Sequence, residues 1–566
     1  MDVNKEHIEP QNGGIDDDIL IVLELPENDH LFEKKKKLLQ DIGHDPKGHV
    51  TLKSSSTPDQ LKPILEIMLQ RARIINLDEI DLYFGGTDVS NFLSFSSPKN
   101  ELEALNLALK NIDYSICSCK PKTVNVLQAL HDATVNLIHD FGKKFGEETR
   151  VFTDSSCEKE KALLQWGKSN GIDTKLEIAY VEGAGRGAIA REDLNAGDIA
   201  LEIPESLLIS EKLVHESEMF PLLEKIEGIL PETMLLLWSM KEKHNCNSKF
   251  KLYFDTLPLE FNTGLSFKVN AFMALDGTSL LEEIVDAKEH LRTQYEELFP
   301  LLCHKHPDVF PPDFYTWEQF LWTCELWYSN SMKVMFNDGK LMTCLIPVAG
   351  FLNHSTCPHI MHYGKLDPVT NSLKFPLSRP CHAGEECFLS YGSFSSSHLL
   401  TFYGFLPRRD NPYDVIPLDI DIALVEDCED GELKCDWNSQ MVRGSWFANN
   451  HGIFNYGLPP PLLDHLRKTK SSTLQKENQV RDKLEIELEI LGDLCSTSEG
   501  MLETIGGTDF DDRETSSWDV KLALDFKDLQ RRIISSVIES CNAGRKLLES
   551  ELGKSTLQQG NGDILS

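Results

Sequence analysis

The sequence holds no apolar run long enough to cross a bilayer, so no membrane partner is expected. Its start, Met1 to Pro10, is polar and acidic and lacks the apolar core of a secretory signal. Nor is it rich in Arg and Ser, so a plastid stays only as the alternative that the N-terminus does not support. The expected home is intracellular, in cytoplasm or nucleus. Basic residues are scarce: 56 Lys and Arg stand against 90 Asp and Glu, a net charge of −34. Such a surface repels phosphates, so no direct nucleic-acid binding is expected. It attracts basic, lysine-rich protein segments, although acidic charge also serves solubility alone. The 14 cysteines form no C-x-x-C pair and read as reduced thiols. Cys117 and Cys119 have no second pair nearby. His354, Cys357, His359, His362, Cys381 and His382 cluster in sequence, but Cys357-Pro358-His359 leaves little room for tetrahedral closure, so no metal site is expected. There is no internal repeat.

What is present is enough for several cores. A chain of 566 residues, 41% of them hydrophobic, suggests two to four domains. After about 14 polar residues, residues 19–25 read as a strand and 31–40 as a Lys-rich helix. Residues 63–73, 101–110 and 124–145 carry helical apolar spacing. Residues 163–169 read as a short helix. From 176 the texture turns to short β-branched runs, glycines and turns, breaks near 210 for helical patterns up to 328, and returns from 341 to about 420. From about 448 it is helical again, with 474–491 amphipathic and acidic and 522–552 holding one or two more helices. A helical domain is therefore expected inside a β-rich one.

Three motifs stand in the β-rich parts. Glu182-Gly183-Ala184-Gly185-Arg186-Gly187 follows the strand-like residues 177–181. Its glycines let a backbone approach a ligand. A dinucleotide site is excluded, because residues 188–198 read as strand and turn rather than helix. An apolar run then ends in Asn353-His354-Ser355, placing hydrogen-bonding side chains at the edge of a core. Last, Ala383-Gly384-Glu385-Glu386 leads by a turn into an expected strand ending at Tyr391-Gly392, and Tyr403-Gly404-Phe405 lies beyond it. Taken singly, each motif is more often structural: a glycine turn, a satisfied core histidine, a packed tyrosine.

Taken in order, these motifs resemble the SET domain. The sequence is similar in particular to the Rubisco large-subunit lysine methyltransferases and the related actin-histidine methyltransferase. The long helical insertion carries that likeness, with Leu252-Tyr253-Phe254-Asp255-Thr256-Leu257-Pro258, then Leu275-Asp276-Gly277-Thr278. Residues 317–322 match the helix that re-enters the SET core. The cysteine-rich zinc segments of histone-type SET enzymes are missing. The resemblance covers roughly residues 160–550, most strongly 176–420. It implies an α+β chain: a mainly helical N-terminal region (1–160), a β-rich SET fold (161–420) with a helical insertion at about 211–328, a helical substrate-binding domain (421–552) and a loose tail (553–566).

The resemblance further implies S-adenosylmethionine as cofactor and a protein substrate, with lysine the acceptor; histidine, or a non-catalytic binding role, is the alternative. By position, Glu182, Gly183 and Ala184 would contact the cofactor through backbone, Asn353 and His354 would bind it, and Tyr403, Gly404 and Phe405 would close over its adenine. Tyr391 matches the catalytic tyrosine. The chain departs from the family at two places. Gly350 stands where relatives carry an Asp, and Tyr328-Ser329-Asn330-Ser331 lacks their cofactor-binding Arg, with Lys333 the nearest cation in sequence.

Overall fold

The computed structural model describes residues 18–86, 88–118, 123–152, 157–418, 440–448, 457–474, 480–507 and 513–562. The expectations for residues 1–14 and for Cys119 lie outside these. The chain divides into two compact units, Met1–Asp81 with Thr87–Phe145, and Leu82–Gly86 with Gly146–Ser566. Helices and small antiparallel sheets make an α+β architecture.

In the first unit, β1 (Asp18–Glu24) pairs antiparallel with β2 (Lys47–Lys53), Ile21 facing Val50. The period of two buries Ile21 and Leu23 and turns Leu20 and Val22 outward. Helices Pro58–Ile75, Pro98–Ser118 and Val124–Phe145 supply the rest of the core. The first starts with Pro at its first turn, and Gln60 Oε1 accepts from Thr57 N–H at 2.9 Å. Arg71, fully buried, donates from Nε to Leu23 O at 2.7 Å and so ties this helix to β1.

The second unit opens with β3 (Val151–Phe152), β4 (Asp173–Thr174), β5 (Leu176–Val181), β6 (Gly185–Ala190) and β7 (Ile199–Pro204). From Glu211 to Asn330 the regular elements are helical, ending in the long helix Ser279–Lys305 and the helix Trp317–Asn330. The chain then returns to strands β8 (Ser331–Met335), β9 (Leu341–Leu345), β10 (Leu366–Asp367) and β11 (Ser372–Pro376). Strands before and after the helices share a sheet in the order β10-β11-β7-β4, beside the sheet β3-β5-β6 and the pair β8-β9. Thr316 caps the helix Trp317–Asn330, which buries Phe320, Cys324 and Trp327. It runs straight into β8, so its last residues, Ser329 and Asn330, end where a strand begins.

Beyond β11 come the helix Ser396–Tyr403 and the pair β12 (Val415–Leu418) and β13 (Gln440–Arg443). Two long helices, Val480–Ile505 and Trp518–Gly562, then share a core with helix Pro460–Leu474. Arg467 grips Glu487 with two bonds of 2.7 and 2.6 Å. Val520, Leu524 and Phe526 pack into one cluster with Phe267, Leu275 and Ile284 of the inserted helices.

Four local expectations change. Residues 386–391 form no regular strand, because their backbone bonds go to three segments: Cys387 N to Ala188 O, Leu389 N to Asn353 O and Ser390 N to Ile360 O. The β texture up to 420 is broken by the helix Ser396–Tyr403, which Ser395 caps by accepting from the His398 N–H. The helical pattern at 474–491 spans the end of one helix and the start of another, with 475–479 outside the described residues. The expected loose tail is helical as far as Gly562, since extending a formed helix is far easier than starting one.

Candidate active site

The β5–β6 hairpin, the end of the re-entrant helix, the Asn353-His354 segment and the chain around Tyr391 and Tyr403 meet around a cavity of about 570 Å³. Of the residues singled out from sequence, Gly183, Ala184, Asn353, His354, Tyr391, Tyr403, Gly404 and Phe405 line it. Glu182 does not, but its carbonyl accepts from Arg408, which does. Lys333 is also outside; its Nζ donates to Thr343 Oγ1 on the neighbouring strand at 2.7 Å.

Asn353 is fixed by two acceptors. Its Nδ2 donates to Arg186 O at 3.0 Å and to Glu386 Oε1 at 2.7 Å, which leaves Oδ1 as the acceptor for a ligand. This arrangement needs glycine at 187, where a Cβ would lie 2.5 Å from Glu386 Oε1 and 3.2 Å from Asn353 Nδ2. Arg186 itself is held by Glu160 at 2.6 Å and lies over the Phe351 ring. Burial raises the pKa of Glu386.

His354 and Tyr391 are joined through the backbone. The Tyr391 N–H donates to His354 Nδ1 at 3.1 Å, and burial lowers the pKa of His354 to about 4, so its ring is neutral at pH 7. The Tyr391 hydroxyl donates to Leu352 O at 3.0 Å. Burial first, then Tyr403, Tyr363 and Glu386, push its pKa far up, so it stays protonated. The Tyr391 ring stacks on Tyr403 at 4.9 Å and lies edge-on to Phe405 at 6.4 Å. Gly404 ends the helix Ser396–Tyr403 with φ +78°, and a Cβ there would strike the Asn262 carbonyl. The aromatic pair is thereby held at a sharp turn.

The two positions that depart from the resembled pattern lie against each other. Gly350 and Asn330 both line the cavity, and a Cβ on Gly350 would lie 3.0 Å from Asn330 Oδ1. Just before Gly350, Val348 takes φ +74°, a strained conformation for a β-branched residue.

The sequence reading passed over Glu386 and Arg408. The sequence carries no signal that separates the buried Glu386 from the exposed Glu385 beside it. No spacing pointed to Arg408, which reaches the cavity only through the turn after Phe405. The structure also draws together His359, Cys381 and Cys387, all buried, with ligand atoms within 4.8 Å of one another. Phe388 N–H donates to His359 Nδ1 at 3.0 Å, which places the neutral ring's proton on Nε2, and a protonated nitrogen is no ligand. The Cys381 hydrogen bond and burial raise the Cys387 thiol well above its usual pKa.

The SET-domain family model matches residues 185–392. Among curated proteins, the mouse SET domain-containing protein 4 is 26% identical over 300 residues, 49% of this chain and 64% of that protein. The pea chloroplast ribulose-1,5-bisphosphate carboxylase/oxygenase large-subunit N-methyltransferase is 25% identical, over 54% of this chain and 63% of its own. The baboon actin-histidine N-methyltransferase is 24% identical, over 46% and 44%. The match thus spans less than two thirds of these relatives' lengths. The solved SET domain of LSMT bound to lysine and AdoHcy is 20% identical, with a TM-score of 0.52 over 73% of this chain and 98% of that one. Residues 185–392 thus match the SET domain, and the chain is similar to these Rubisco and actin methyltransferases in sequence and to the solved LSMT SET domain in fold.

Proposed function

We propose that this protein is an S-adenosylmethionine-dependent protein methyltransferase whose acceptor is a lysine side chain. One observation carries the reading: Asn353, His354 and Tyr391 meet the glycine hairpin and Tyr403–Phe405 around one cavity. Its size lies within the ~300–1,000 Å³ of small-ligand sites. Asn353 Oδ1 and the backbone of Ala184 and Gly185 in the cavity lining fit the polar groups of such a cofactor. When bound, S-adenosylmethionine supplies a methyl group on a positively charged sulfur.

The chain's own residues then act by position rather than by proton transfer. Tyr391 is held protonated and is not a base. Its proton is committed to Leu352 O, so the oxygen's lone pairs remain for weak C–H···O contacts that orient a methyl group. A lysine has a pKa of ~10.4, so only about one in a few thousand is neutral at pH 7. The rings of Tyr391, Tyr403 and Phe405 favour the neutral amine by removing water. The net charge of −34 suits a basic substrate segment. The pea and baboon relatives carry names with protein acceptors, which supports a protein substrate here.

The baboon relative also keeps a histidine acceptor in view. The two acceptors differ in pH dependence. Transfer to lysine rises steeply from pH 7 to 10, whereas histidine, with a pKa of ~6.5, is already mostly neutral at pH 7.5. The test uses the purified protein and its Tyr391→Phe variant with labelled cofactor and cell extract. Label on a protein band is expected with the wild type and should fall roughly 10–100-fold in the variant. Hydrolysis of that band then identifies the methylated amino acid. Absence of transfer, together with no cofactor binding by calorimetry, sinks the proposal.

A further inference from the structure

Four charged side chains line the cavity: Glu147, Arg186, Glu386 and Arg408. They differ in what already engages them. Arg186 is spent on Glu160 and on the Thr256 carbonyl, with its guanidinium over Phe351. Glu386 is bound to Asn353, and Glu147 accepts from Ser355 Oγ at 2.7 Å. Arg408 is exposed and donates from Nη2 to the Glu182 carbonyl. Among the described residues it makes no ion pair. Its Nη2 lies 3.0 Å from where a Cβ on Gly183 would sit, so the guanidinium rests directly over the glycine hairpin.

The lining at the end of the re-entrant helix offers no cation. Ser329, Asn330 and Gly350 are neutral, and Asn330 Nδ2 donates to Ser329 Oγ at 2.8 Å. Lys333 points its ammonium to Thr343. A cofactor with an amino-acid end brings one carboxylate into this cavity, and desolvating that charge is costly without a cationic partner. The guanidinium of Arg408, tethered at one nitrogen with its other donors open, matches a carboxylate in shape and charge.

We propose that Arg408 binds the carboxylate of the cofactor's amino-acid end, taking over the electrostatic role that the neutral Asn330–Gly350 side does not supply. The assignment rests on the reading of this cavity as the cofactor site. It makes Arg408 a binding residue anchored on the hairpin through Glu182 O, so that hairpin and ligand are held by the same group.

The test separates this assignment from the reading beneath it. Binding of S-adenosylhomocysteine and of 5′-methylthioadenosine, which lacks the amino-acid end, is measured by calorimetry for the full-length wild type and Arg408→Ala. The variant should bind S-adenosylhomocysteine roughly 10–100-fold more weakly, the range of a charge-assisted pair. Its affinity for methylthioadenosine should stay within about twofold, which also shows that the site is still folded. Adding Asn330→Arg with Gly350→Asp to the variant should recover affinity for S-adenosylhomocysteine alone. Equal losses for both ligands, or no loss for either, overturn the assignment of Arg408. If the wild type binds neither ligand, the cofactor reading itself fails and the assignment falls with it.

Discussion

The two sides of the cavity are built by different rules. On one side, Asn353, Glu386, Arg186, His354 and Tyr391 hold one another through short polar contacts, and Gly187 leaves the room they need. On the other, Asn330 meets Gly350, and neither carries a charge. The first side fixes geometry, because moving any member leaves a buried partner unsatisfied. The second fixes little, and it is where this chain departs from the pattern of the proteins it resembles. One cavity can therefore combine a neutral, loosely held side with a side fixed by buried hydrogen bonds.

The comparison is broken most severely at the turn that holds Tyr403 and Phe405. Gly404→Ala puts a Cβ against the Asn262 carbonyl at a residue with φ +78°. Steric overlap and a left-handed backbone add, so the variant should lose more than about 3 kcal/mol of stability, read from denaturant midpoints. An unchanged midpoint would mean that this side of the cavity yields as easily as the other.

A smaller effect sharpens the role of His354. Its folded pKa, about 4, lies below the unfolded value near 6.5 because burial opposes the charged ring. Between these values the unfolded chain binds more protons, so stability rises with pH, and it is lost as pH falls from about 6.5 towards 4. The buried His359 acts in the same direction, so the comparison must be between wild type and His354→Gln. The variant should show a shallower fall in melting temperature over this window. Parallel pH profiles would mean that the neutral ring of His354 contributes nothing to this side of the cavity.

Legibility follows from the range of the interactions involved. The helix Val124–Phe145 is legible with its observed ends because its apolar spacing is local. The glycine hairpin is legible because Val181 and Gly185 pair across a short turn. Residues 386–391 look like a strand in sequence, since an apolar run follows a turn and ends on Tyr-Gly, but their hydrogen bonds go to three distant segments. Asn353, His354 and Tyr391 emerge from motif order, yet their mutual bonds are not legible. Arg408 illustrates the limit: it comes to the cavity by the path of the backbone after Phe405, and no periodicity marks it.

Lys333 gives the smallest expected effect and the cleanest test of the loose side. In sequence it is the nearest cation to the place where the family carries Arg, which makes it the natural substitute. In the fold it lies on β8 beyond the end of the re-entrant helix, exposed, with Nζ on Thr343 Oγ1. That bond joins two paired strands at the surface and has little to lose to water. Lys333→Ala should therefore change stability by less than about 0.5 kcal/mol and leave cofactor affinity within about twofold. A tenfold loss of affinity would mean that a charge outside the cavity wall is felt inside it. The neutral side would then be neutral only in its lining, with its cation supplied from β8 rather than from Arg408.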